Sequence, residues 1–233
     1  MRILTTLAAI AAASPAFASS AQEGGLADPA SGWDTLWYHL LLDIGSIGIF
    51  FGIAAIYLLF KYRRQRPDQE GDGPSLSFGQ SMAWALIPMF LFLADDFYLA
   101  ANGWKLWNDQ RRVPENAMEV KVTAMMYGWM FDYGDGVESD NDDGLVVPAG
   151  RPVVLRMKSE DVIHSFFIPD FRIKEDVMPG RITYLWFNPT ESRKGEHVFT
   201  CAEYCGFGHS NMFGKVKVVS PEEFEAWAAE RKA

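Results

Sequence analysis

CAEYCGFGHSNM, residues 201–212, holds both cysteines of the chain, one of its four histidines and a methionine. Three chemistries compete for it. A disulfide between Cys201 and Cys205 would close a very small loop and constrain the unfolded chain little. A structural zinc clip would take Cys201, Cys205, His209 and one further ligand in closed tetrahedral geometry, but zinc has no use for a thioether. Thiolate, thioether and imidazole together are a donor set that suits copper.

The flanking sequence says where this loop sits. From Ala117 onward the chain reads as short β-type runs separated by turn residues. Strands are expected near 118–126, 144–149, 152–159, 164–168, 181–187, 196–201 and 213–219. PEEFEAWAAERK (221–232), with Pro221 at its start and acids in its first turn, reads as a short helix. Seven short strands predict a Greek-key β-sandwich or barrel. A loop carrying Cys, His and Met between the last two strands of a sandwich is the arrangement of blue-copper proteins, where one thiolate binds one copper. Here two thiolates could bridge two coppers, each taking one imidazole and one weak axial ligand. A second histidine must then come from elsewhere, and the candidates are His39, His164 and His197. His39 lies in an apolar helix, and His197 in GEHVFTC reads as an exposed strand residue.

Upstream, the composition, with 49% hydrophobic and 22% charged residues, is on the apolar side for a soluble protein. MRILTTLAAIAAASPAFASS carries Arg2, a short apolar core and Ala16-Phe17-Ala18, which predicts a cleaved signal peptide over 1–18. Two runs, 37–60 and 81–101, are long and apolar enough to span a bilayer. Lys61, Arg63, Arg64 and Arg66 follow the first run, so the connecting loop is expected in the cytoplasm and both outer ends outside. The division is therefore a leader (1–18), a transmembrane hairpin (19–110) and an extracytoplasmic β-domain (111–233), in a bacterial inner membrane.

Three acids interrupt the spans: Asp43, Asp95 and Asp96. At 1.5 Å per residue, Asp43 and Asp96 fall about 9–12 Å below the outer interface. An ionised aspartate in lipid costs roughly 2.5–3.5 kcal/mol, so such groups face protein or water. This reading pairs Asp43 with Asp96. Outside the membrane, the part from Glu115 carries 20 acids against 13 bases, a net −7, with Asp135, Glu138, Asp140, Asp142 and Asp143 reading as one acidic loop. Such a loop would steer a basic partner by charge. Nucleic acid is not an expected partner.

DVIHSFFIPDFRIKEDVMPGR (161–181) together with CAEYCGFGHSNM resembles subunit II of the haem-copper oxidases, in particular the binuclear copper A domain of cytochrome c oxidase. The two-helix hairpin, Trp84 with Pro88, the aromatic stretch Tyr127–Tyr133 and the Lys174-x-Asp176-x-x-Pro179-Gly180-Arg181 turn carry the same resemblance. It implies a cupredoxin fold and copper A ligands His164, Cys201, Cys205, His209, Met212 and the main-chain carbonyl of Glu203. It also implies that the Glu203 carboxylate faces a magnesium shared with subunit I. Tyr127 and Trp129 stand where the family places the aromatic groups that receive electrons, and Ser81 replaces the glutamate that opens a proton path in the mitochondrial type. The implied function is electron transfer from a soluble c-type cytochrome to haem in subunit I of a respiratory, oxygen-reducing complex. A haem-copper nitric oxide reductase is the alternative. No Cys-x-x-Cys-His sequence occurs, so no covalent c-type haem is expected on the chain.

Overall fold

The computed structural model describes residues 29–71, 73 and 75–232. The leader reading falls outside them. Helix α1 spans Pro29–Lys61 and α2 spans Phe78–Arg111, and both are long and apolar enough to cross a membrane. Each contains its expected apolar run but extends past it. At 33 residues α1 is about 50 Å long, against a hydrocarbon thickness of about 30 Å. Helical hydrogen bonding does not stop where lipid does, so a hydropathy window marks the buried middle of a helix and not its ends. Ser77 starts α2 with a reciprocal capping box to Gln80. Trp33 Nε1 donates to Gln110 Oε1 at 3.2 Å, tying the outer ends of the hairpin together.

Ten strands follow: β1 Met118–Met125, β2 Gly128–Gly134, β3 Val137–Asp140, β4 Leu145–Pro148, β5 Val153–Ser159, β6 His164–Ile168, β7 Ile173–Val177, β8 Thr183–Phe187, β9 Gly195–Cys201 and β10 Phe213–Val219. They form two five-stranded sheets, β3-β2-β1-β5-β8 and β4-β10-β9-β6-β7. The chain changes sheet after β3, β4, β5, β7 and β8, which makes this a two-layer sandwich. These crossovers also bring β5 parallel to β1 and β10 parallel to β4. Helix α3, Pro221–Lys232, closes one end, with Trp227 edge-on to Tyr133 at 5.0 Å.

The sequence reading missed β2, β3 and β7. Strand β3 is four residues long with exposed acids at every second position, and β7 lies at a sheet edge with Lys174 and Asp176 exposed. Charges on short edge strands deter edge-to-edge association, and they also erase the apolar alternation that marks a strand.

Alternation governs the core. Val120, Val122 and Ala124 of β1, Val153, Leu155 and Met157 of β5, and Val216 and Val218 of β10 point inward. Phe131, Phe166 and Phe199 meet in the middle, with Phe166 and Phe199 stacked at 5.0 Å. The same inward register carries past the aromatics to Cys201 on β9 and His164 on β6. The end of the core is thus lined with ligand-type side chains because the strand period puts them there.

His197 does not sit in open solvent as the sequence reading held. Its side chain is 15% exposed. Its ring nitrogens pair with Asp170 Oδ2 at 2.7 Å and with the Arg193 carbonyl at 2.8 Å, and Phe171 packs edge-on to it. It ties β9 to the turn after β6. His197→Ala should therefore destabilise the β-domain by about 1–3 kcal/mol in guanidinium unfolding and leave the metal site intact. A loss below about 0.5 kcal/mol would show that the two pairings contribute little.

Candidate metal centre

Cys201 ends β9 and Cys205 lies in the loop that follows; both are buried free thiols. His164 opens the neighbouring strand β6, and the register pairs Phe166 with Cys201, which places the imidazole beside the loop. The candidate ligand atoms of His164, Cys201 and Cys205 all lie within 4.8 Å of one another. Around Cys201 Sγ stand the His164 Nδ1 at 4.0 Å and the Glu203 carbonyl at 3.2 Å. Around Cys205 Sγ stand the His209 Nδ1 at 3.7 Å and the Met212 Sδ at 3.3 Å. Each thiol therefore has one imidazole and one weak donor beside it. Met212 is fully buried, and Glu203 is exposed. The six residues named from the sequence are all brought together.

The loop keeps its shape by close approach. Gly208 lies under the Tyr127 ring so tightly that a Cβ there would come within 2.5 Å of ring carbons. Gly206 adopts φ 131°, a left-handed conformation that costs glycine little. The Tyr127 hydroxyl accepts the Phe207 N–H at 3.0 Å. The peptide between Met126 and Tyr127 is cis.

Three partners of the site were not legible as such. Asp161 Oδ1 sits 2.8 Å from His164 Nε2, fixing the ring so that Nδ1 faces the thiols. Burial alone would raise the Asp161 carboxyl, but His164 and the N–H groups of Val162 and Met126 overcome this and hold it at about 2. It therefore stays ionised at any neutral pH and anchors the imidazole as an acceptor. Asn141 Oδ1 accepts the Trp129 N–H at 2.7 Å, fixing the start of β2. Trp129 packs edge-on to His164 at 5.9 Å and to Phe166 at 4.9 Å. Its 1% exposure means that it is a wall of the site and not a surface contact, whereas Tyr127 is 41% exposed. The aspartate three residues before His164 was the available signal for Asp161, since a strand's entering turn can fold its side chain back.

Burial, reinforced by the neighbouring Cys201 thiol, pushes the Cys205 thiol up to about 11. Without a metal it is protonated at neutral pH, so a cation that binds there must displace a proton.

The acidic residues do not form one loop. Asp135 lies in the β2–β3 turn, Glu138 and Asp140 on β3, and Asp142 and Asp143 in the turn after it. Arg231 of α3 pairs with Asp143 at 3.0 Å and Lys232 with Asp135 at 3.4 Å. Asp140 spends one carboxylate oxygen on the N–H groups of Asp142 and Asp143. Between the helices it is Asp95, not Asp96, whose carboxyl lies near that of Asp43. Asp96 points outward, because successive helical residues are about 100° apart.

A model of the cytochrome c oxidase subunit II periplasmic domain matches residues 109–219. Cytochrome c oxidase subunit 2 of Synechocystis sp. is 41% identical over 242 residues, covering 82% of this chain and 70% of that one. Heme-copper oxidase subunit 2 of Aeropyrum pernix is 30% identical over 213 residues, covering 82% of this chain and 88% of that one. Among solved structures, the periplasmic domain of subunit II of cytochrome oxidase (CoxB) of Bradyrhizobium japonicum is 29% identical with a TM-score of 0.49, covering 52% of this chain and 100% of that one. On the extent of these sequence matches, the chain belongs to the cytochrome c oxidase subunit II family.

Proposed function

We propose that the chain is the electron-transfer subunit II of a haem-copper terminal oxidase, holding a binuclear copper A centre on the outer side of a bacterial inner membrane. One observation carries this: two buried free thiols four residues apart, each flanked by its own imidazole and its own weak donor. That donor set fits two soft metal ions, and it does not fit a disulfide or a zinc clip. Copper held there would supply one-electron storage.

The chain's own residues do the rest. Cys201 and Cys205 would supply two thiolates, and His164, His209, Met212 and the Glu203 carbonyl would complete the donors. Asp161 keeps His164 in one tautomer and orientation. Trp129 and Phe166 exclude water from the inner side. The donors come from β6, β9 and the β9–β10 loop of one sheet, with Trp129 of the facing sheet packed against His164, so they would move little on gain or loss of an electron. Nothing in the site performs bond chemistry.

The partners follow from the same reading. A soluble c-type cytochrome gives electrons at the face around Tyr127, and subunit I, embedded beside α1 and α2, receives them. The exposed Glu203 carboxylate is available for a magnesium at that junction. The relatives named above are oxidases, which favours oxygen over nitric oxide as the final acceptor. Of the five surface acids, Asp140, Asp142 and Glu138 lack a basic partner among the described contacts and are the ones left to steer a basic donor.

Full-length protein in detergent, loaded with copper, should be purple, with electron-spin hyperfine coupling to two equivalent coppers. A blue, single-copper spectrum would overturn the reading. For Asp43 and Asp95 we assign a packing role against subunit I, with Asp96 facing outward beside them. Asp43→Asn and Asp95→Asn should then weaken assembly of the complex while the assembled fraction turns over normally. Normal assembly with an altered pH profile of turnover would instead assign the pair to proton movement.

A further inference from the structure

One β-hairpin joins the candidate metal site to both long helices. Strands β6 and β7 pair from His164 with Val177 at one end to Ile168 with Ile173 at the other, about 13 Å apart by strand rise. His164 stands at the first end, beside the thiols. At the second end, after the turn Pro169–Phe171, Arg172 Nε donates to Asp34 Oδ1 of α1 at 2.7 Å. Partway along β7, Glu175 pairs with Arg111, the last residue of α2, at 2.8 Å. Both helices therefore grip the element that presents a ligand.

The grip is built on braced residues. Phe171 is buried against Phe187 at 4.8 Å, and Arg193 Nη1 donates to the Asp170 carbonyl at 2.6 Å, so the turn that carries Arg172 is fixed from two sides. The Arg111 guanidinium lies over the Trp107 ring at 4.3 Å, and the Arg111 carbonyl accepts the Tyr184 hydroxyl at 3.2 Å, which brings β8 of the other sheet into the junction. Arg172 has φ 55°, in the left-handed region that favours glycine. A partly exposed ion pair adds little stability, and that backbone conformation subtracts from it. Stability of the β-domain does not explain an arginine there, whereas contact with α1 does.

We propose that Arg172 and Glu175 are positioning residues for electron transfer: through the β6–β7 hairpin they fix the height and orientation of the copper centre over the membrane, so that it faces an acceptor embedded beside α1 and α2. The proposal rests on the copper A reading of the site. In the step they serve, the centre is oxidised by one electron and the acceptor is reduced by one, and no bond forms or breaks. The covalent link between α2 and β1, residues 112–117, would by itself let the domain swing. Contacts from two helices oppose that swing.

The test reads the junction and the electron separately. Nitroxide labels on encoded ketone residues in place of Ile49 of α1 and Glu225 of α3, both exposed, leave the thiols untouched. In the full chain in detergent, the pulsed electron-spin distance between them should be one narrow peak, which Arg172→Gly with Glu175→Gln should lose. Arg172→Gly alone should unfold in guanidinium no more readily than wild type, because glycine suits φ 55°, and should still broaden the peak. Asp34→Arg with Arg172→Asp should narrow it again. In the purified oxidase complex, the double variant should pass electrons from copper to haem about tenfold more slowly, with the copper spectrum and reduction by hexaammineruthenium(II) unchanged. An unchanged label distance in the double variant overturns the proposal, as does an unchanged transfer rate. Failure of this variant to enter the complex also overturns it and would assign these contacts to assembly. A wild-type chain that shows no two-copper spectrum overturns the copper A reading instead, and the label distances are read without copper.

Discussion

Cys205→Ser is expected to abolish the two-copper spectrum. The site has its donors distributed about two sulfurs: His164 and the Glu203 carbonyl beside Cys201, and His209 and Met212 beside Cys205. A serine hydroxyl is a hard donor with a far higher pKa than a thiol, so it neither deprotonates readily nor bridges soft copper. One thiolate remains, and with it at most one strongly bound copper. The measurement is copper content together with the electron-spin spectrum of the full-length variant. About one copper per chain and coupling to a single copper is the expected result, and electron transfer to the rest of the complex should fall by orders of magnitude. Two coppers with equivalent coupling would mean that bridging does not need both sulfurs.

Trp129→Ala has the second largest expected effect, and it acts on fold and site together. Trp129 is among the largest fully buried side chains, walled by Phe166, Phe199 and the His164 ring. Its indole Nε1 has no hydrogen-bond partner among the described contacts, so truncation removes packing and leaves no orphaned partner. Truncating a buried aromatic to alanine costs about 3–5 kcal/mol, and the cavity opens directly onto a ligand. Water admitted there would let the His164 ring move. Trp129→Ala should therefore lose about 3–5 kcal/mol in guanidinium unfolding and release copper faster, whereas Trp129→Phe should keep most of both. If Trp129→Ala unfolds within about 1 kcal/mol of wild type, the indole is not the wall that its burial indicates.

Legibility varied with how local the determinants were. The donors Cys201, Glu203, Cys205, His209 and Met212 lie within twelve residues, so their types and spacing are readable directly. The hairpin was readable because lipid selects composition, which a window detects, although the helix ends lie beyond the window. Strands β1, β5, β9 and β10 were found because one buried face imposes a period of two, and β6 because it is a short apolar run buried on both faces. Strands β3 and β7 were not, because sheet edges are specified by what they must not pair with.

What the sequence by itself determined is the chemistry: two thiolates, two imidazoles, a thioether and a carbonyl on a chain with two membrane-length helices. Residue types and short spacings are covalent facts and need no fold to be true. What only the tertiary structure decided is arrangement across distance. The β6–β9 register delivers His164 to a loop 37 positions away, and Asp161 turns its ring toward the thiols. Trp129 goes inward while Phe207 goes outward, although both are aromatic neighbours of ligands. Asp95 rather than Asp96 meets Asp43, and His197 is pinned where a surface residue was expected. Each of these depends on which way a side chain points relative to an element distant in sequence. Strand pairing and helix rotation set that direction, and neither is a property of the residue alone.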